Sequence, residues 1–100
     1  MNNNLPLPSV ESLTVEFKSD RKSLSDNELI EALIGLANTE GGQLWLGVED
    51  DGTPTGLHKV HQDLTGLPGL VAARTSPSLG VSVTRHDLAH VRVACIEVPK

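Results

Sequence analysis

The first regular pattern in the chain is Leu13-Thr14-Val15-Glu16-Phe17-Lys18, where apolar and polar residues alternate. A period of two predicts a half-buried strand, with Leu13, Val15 and Phe17 on one face and Thr14, Glu16 and Lys18 on the other. A polar stretch from Ser19 to Leu24 leads into Ser25-Asp26-Asn27-Glu28, a capping box in which the serine hydroxyl accepts from the Glu28 amide and starts a helix. Leu29, Ile30, Leu33, Ile34 and Ala37 then recur at helical spacing, and Gly41-Gly42 permits the left-handed backbone that ends the helix. Gln43 to Val48 is nearly all apolar, as a central strand buried on both faces should be, and Gly47 inside it marks a bulge or a close backbone approach. Asp51-Gly52 signals a tight turn, after which Thr53 to Leu57 returns as a partner strand that Pro54 confines to an edge or bulge. Val60, Leu64, Leu67, Leu70 and Val71 recur at intervals of three and four, and Gly66 and Pro68 divide this stretch into two short helical pieces. Leu79-Val81-Val83 and Val91-Val93-Cys95 alternate on either side of Asp87 to His90, which reads as an antiparallel hairpin.

Strand, helix, hairpin, helices, hairpin is an α+β pattern: a mixed or antiparallel sheet with helices packed on at least one face. Residues 1–10 hold three asparagines and two prolines, and form a flexible N-terminal arm. Residues 11–100 form one domain, because a hundred-residue chain with 38% apolar residues can bury one core and not two.

Eight Lys and Arg against thirteen Asp and Glu leave a net charge of -5, which repels phosphates unless the cations are gathered on one face. The single cysteine, Cys95, lies in an apolar run and has no partner for a disulfide or a zinc cage, which fits a reducing setting. The sequence has neither a membrane span nor a signal-peptide pattern, so the expected location is the cytoplasm. It has no phosphate-cradling Gly-x-x-x-x-Gly-Lys-Ser/Thr loop. His58/His61 and His86/His90 lack the partners of a zinc motif, with His86 and His90 placed in a turn, and all four read as solvated surface histidines. The two aromatic residues, Phe17 and Trp45, sit in apolar strand patterns and belong to the core, not to a base-stacking platform.

Two groups of side chains could carry chemistry. Glu11, Glu16 and Asp50 stand on or beside predicted strands, and carboxylates brought together can hold Mg²⁺ or Mn²⁺. Glu11 and Glu16 are five apart and fall on opposite faces of a regular strand, so joint work needs a bend near Ser12; otherwise they are solvated strand residues, and Glu49-Asp50-Asp51-Gly52 is a hydrophilic turn. Lys18, Arg21 and Lys22 form the one cluster of cations, which either contacts phosphates or is a solvated loop in which Asp20 partly offsets the charge.

Three segments together carry a family resemblance: Glu11 to Lys18 with its Glu-Phe-Lys, Ala32 to Gly42 with Ala-Asn-Thr-x-Gly-Gly, and Leu44 to Gly52 with Gly-Val-x-Asp, followed by Gly56. The chain resembles the Schlafen AlbA_2 domain, the divergent AlbA or DNA-binding domain that in bacteria and archaea usually begins larger transcriptional regulators, some labelled helicase-related or ATP-binding. The resemblance implies nucleic-acid binding; the expected contacts are the clustered Lys18, Arg21 and Lys22, with DNA expected ahead of RNA and no cofactor required. Asn38, Gly41, Gly42, Gly47 and Gly52 are then its structural motif. In animal Schlafen relatives three acidic residues form a metal-assisted RNA-cleaving site, and the matching positions here are Glu11, Glu16 and Asp50. A divalent-metal endoribonuclease is therefore the alternative, and a scaffold that only oligomerises is a third. The family domain normally runs on past the position of Pro99, so the chain is expected to be a fragment of a larger protein, with an unpaired strand edge through which a homodimer could form.

Overall fold

The computed structural model describes residues 7–88 and 90–100. Most of the expected arm and one residue of the hairpin turn, Ala89, lie outside the described residues. The ordered elements are strand β1 (Val15–Lys18), helix α1 (Asp26–Ala37), strand β2 (Gly42–Leu46), a short 3-10 turn (Lys59–His61), helix α2 (Leu67–Arg74), and strands β3 (Ser82–Leu88) and β4 (Val91–Val98). They build a mixed four-stranded sheet in the order β1-β2-β4-β3, an α+β fold. β1 and β2 are parallel, joined through α1 as parallel neighbours must be, and the other two pairings are antiparallel.

Helix α1 begins where the capping box places it: the Ser25 hydroxyl accepts from the Glu28 amide at 3.1 Å and donates to the Glu28 carboxylate at 3.2 Å. Its buried residues are Leu29, Ile30, Leu33 and Leu36. Burial of each such side chain contributes roughly 1.5–3 kcal/mol, against about 1 kcal/mol for the cap, so packing holds this helix more than its end does. The expected stripe is corrected by a small rotation: Leu36 lies inward and Ile34 outward, because the sheet meets α1 on the face of residues 29, 33 and 36. Leu70 lies on the flank of α2, whose buried residues are Leu67 and Val71. The stretch divides into two short helical pieces as expected, the 3-10 turn and α2, with Gly66 as the cap of the second and Pro68 in its first turn, where a missing amide costs nothing.

Both helices cover the same face of the sheet. Leu44 and Leu46 of β2 and Ala94, Ile96 and Val98 of β4 join the α1 and α2 residues in one core cluster. On the other face Phe17, Trp45, Val48, Leu88, Val93 and Cys95 form a second cluster, with Leu7, Val15 and Val91 against it. β2 and β4 are thus buried on both sides, which accounts for their unbroken apolar runs.

Several strand boundaries differ from the sequence expectation. Leu13 is not in β1 but in a turn closed by Ser12 and Val15, and is 66% exposed. β2 ends at Leu46, and the expected partner strand from Thr53 to Leu57 shrinks to a bridge between Val48 and Pro54. The reason is Gly47, whose carbonyl accepts from both Thr55 and Gly56 amides and so folds the return chain against itself. β3 extends through Asp87, so His86 is a strand residue, its ring tilted 38° against Trp45 with centroids 5.2 Å apart. Among the described residues no helix is long and apolar enough to cross a membrane.

Candidate nucleic-acid interface

The C-terminal ends of the parallel strands β1 and β2 organise the candidate site. The Lys18 carbonyl accepts from the Gly47 amide at 2.8 Å and from the Val48 amide at 3.3 Å, locking the two strand ends together. From β1 the chain leaves as the loop Ser19 to Leu24; from β2 it leaves through Gly47 into the turn that carries Glu49, Asp50 and Asp51. That turn is closed by the Glu49 amide on the Thr53 carbonyl at 2.9 Å and the Gly52 amide on the Glu49 carbonyl at 2.8 Å.

Between loop and turn lies an open concavity of about 550 Å³ lined by Ser19, Arg21, Lys22 and Glu49. Arg21 and Lys22 are exposed, and among the described residues neither forms an ion pair. Glu49 accepts the Thr55 hydroxyl, and this bond, a second from Ser19 and the charge of Arg21 hold its carboxyl below the usual carboxylate range. The site therefore presents two free cations around one fixed anion.

Lys18 does not line this concavity. In the parallel register Lys18 stands opposite Leu46 and Glu16 opposite Leu44, on the helix-covered face at the outer strand of the sheet. The Lys18 ammonium lies 3.5 Å from the Glu16 carboxylate, both about one-third exposed, a pair worth at most about 1 kcal/mol. The expected three-cation cluster is thus two cations in the concavity and one on the adjacent strand.

The acidic trio is placed as follows. The turn closed by Ser12 and Val15 folds the preceding chain back along the free edge of β1, supplying the bend that two carboxylates five residues apart require. The Glu11 carboxylate then accepts the outward-facing Phe17 amide at 2.7 Å. Glu16 is paired with Lys18, and Asp50 is exposed in the 49–53 turn. Among the described residues no group of three or more His, Cys, Asp and Glu is gathered so as to hold a metal ion. As arranged, Glu11, Glu16 and Asp50 do not form a ligand set for Mg²⁺ or Mn²⁺.

The expected structural motif is split between the two ends of the sheet: Asn38, Gly41 and Gly42 stand where β2 begins, Gly47 and Gly52 beyond where it ends. Asn38 caps α1 with right-handed backbone, its amide reaching the Ile34 carbonyl, and the left-handed step comes later, at Gly41 (φ 75°). Gly42 (φ 138°) passes so close to β1 that a Cβ would run into the Thr14 carbonyl. Gly47 and Gly52 also have positive φ, and a Cβ on Gly52 would lie 2.9 Å from the Ser9 carbonyl, which shows how closely the N-terminal segment approaches the acidic turn.

Asp20 is the residue that the sequence reading misplaced. It is no solvated counter-charge: its side chain is fully buried. Its carboxylate accepts the Leu24 amide at 2.8 Å, the His58 amide at 2.7 Å and Nδ1 of His61 at 2.8 Å. His61 is correspondingly drawn in, with a side chain only 13% exposed. An unpaired buried carboxylate would cost several kcal/mol, so three donors around one acid are what makes this burial tolerable.

A family model described as Schlafen, AlbA_2 matches residues 11–100. No curated protein matches the chain. The matched family suggests a nucleic-acid-related domain, in keeping with exposed cations at the ends of β1 and β2. Over nine-tenths of its length the chain belongs to the Schlafen AlbA_2 family.

Proposed function

We propose that residues 11–100 are a nucleic-acid-binding module of a bacterial transcriptional regulator, which contacts backbone phosphates through Arg21 and Lys22, with Lys18 on the neighbouring strand. The observation that carries the reading is the open concavity in which Arg21 and Lys22 stand without acidic partners beyond Glu49. Because the whole chain carries a net charge of -5, long-range attraction is absent and affinity must come from these local contacts. Two to three neutralised phosphates correspond to a salt slope of roughly -2 to -3, the regime of a domain that binds weakly alone and more tightly as part of a larger assembly. Duplex DNA is the proposed ligand ahead of RNA, and no cofactor is required for the contact. β3 is one of the two outer strands of the sheet, and pairing of two copies along it is the homodimer this reading allows.

Fluorescence anisotropy with a short labelled duplex and with a structured RNA, across a salt series, tests the proposal. Binding should weaken steeply with salt and disappear in the Arg21→Glu/Lys22→Glu variant. Binding indifferent to both would refute it. Cleavage of the RNA in Mn²⁺, lost in Asp50→Ala, would instead favour the endoribonuclease reading.

A further inference from the structure

Asp20 ties together two chain segments that are far apart in sequence, and both carry exposed cations. One carboxylate oxygen holds Leu24, closing the loop that contains Arg21 and Lys22; the other holds the His58 amide, immediately before Lys59. The ring of His61 closes the far side of the 3-10 turn on the same carboxylate. The His58 ring is turned inward on its own segment, with Nδ1 accepting the Val60 amide at 3.2 Å. Lys59 itself is exposed and, among the described residues, is in no ion pair. No other fully buried charged or polar side chain occurs among the described residues. A fold does not need a buried acid to close a surface loop, and burying one is costly unless every lone pair is matched.

We propose that Lys59 is a further cation of the phosphate-contacting surface and that Asp20 is the positioning residue that holds it beside Arg21 and Lys22. The inference rests on the nucleic-acid reading above and extends it: the contact surface crosses from the β1–α1 loop to the 3-10 turn, and a backbone of repeated phosphates is the ligand that cations mounted on two separate segments fit. Asp20 touches no ligand; it acts by fixing the two backbones.

The test is the salt dependence of duplex binding, measured by anisotropy well below the melting temperature of each variant, with circular dichroism as a check on folding. Removing one phosphate contact lowers the slope by about 0.9. Lys59→Ala should reduce the slope by that amount, as Arg21→Ala does, without a change in melting temperature, whereas Arg74→Ala should leave the slope unchanged. His61→Asn removes one donor from Asp20 but leaves its two backbone amides, and should lower the slope in protein that is still folded. Asp20→Asn should lower it further. A slope for Lys59→Ala equal to that of the unaltered protein, with Arg21→Ala reduced, overturns the added cation and leaves the proposed function standing. An unchanged slope in folded His61→Asn overturns the positioning role, even if Asp20→Asn fails to fold. Absence of salt-dependent binding by the unaltered protein removes the nucleic-acid reading itself.

Discussion

The carboxylate of Glu11 accepts the Phe17 amide at 2.7 Å and so occupies the position where a further strand would pair with β1. An acidic residue of a family motif is thereby used to close a sheet edge, with Phe17 buried on the strand it closes. Glu11→Ala leaves that amide without its charged acceptor and should destabilise the domain by about 1–2 kcal/mol, a fall in melting temperature of roughly 5–15 °C. Thermal denaturation followed by circular dichroism measures it, and an unchanged melting temperature would show that water replaces the carboxylate without loss.

Glu49 is predicted to restrain the basic site. Glu49→Gln removes the anion beside Arg21 and should tighten duplex binding by about twofold to threefold at low salt, an effect that vanishes as salt screens it. Its folded carboxyl is held below 4.5 by Thr55, Ser19 and Arg21, in that order of effect. The stability this contributes is therefore full above the unfolded value and is lost as pH falls through the folded one. Glu49→Gln should flatten the acid limb of a stability–pH curve below about pH 4.5; an identical limb would contradict the assignment.

Gly42→Ala should be among the most damaging single changes. Its backbone has φ 138°, and the added methyl would meet the Thr14 carbonyl across the β1–β2 junction. Backbone strain and displacement of the neighbouring strand together should cost about 3 kcal/mol or more. Gly35→Ala, where nothing lies within 4 Å, is the control that should be neutral or stabilising in urea denaturation.

Cys95 should be chemically silent in the folded protein. Burial, and secondarily the charge of Glu97, push its thiol from 9.0 up to about 12. At pH 8 its thiolate fraction is about a thousandfold below that of an unperturbed cysteine, and alkylation should proceed only through unfolding. Because the folded value is raised, the domain should lose stability as pH climbs from about 9 toward 12, and Cys95→Ala should remove that loss.

What the sequence made legible was local. The capping box at Ser25 and Glu28 and the helix it starts depend on neighbours within a few residues, and each is where it is expected. The rotation that buries Leu36 and exposes Ile34 depends on where the sheet meets the helix, which periodicity alone leaves free by one position. Thr53 to Leu57 has strand-like composition, yet Gly47 captures its amides. Arg21 and Lys22 were recognisable as a basic pair because they are adjacent, whereas Lys18, three residues earlier, is carried to another face by strand alternation. Asp20 was read as a screening charge because its partners, His58 and His61, lie 38 and 41 residues away. The one available sign was an acid embedded in a basic loop together with a His-x-x-His spacing that no metal motif explained.

Trp45 and His86 leave this protein with an internal optical gauge. The chain has one tryptophan and no tyrosine, so its ultraviolet emission originates at a single indole. That indole donates to the Gln43 side chain at 3.0 Å, and the His86 ring rests against it from the outermost strand. Detachment of β3 removes that ring from the indole and opens the indole to water, which changes its emission. The seating of the sheet's outer strand can thus be followed in solution without a label.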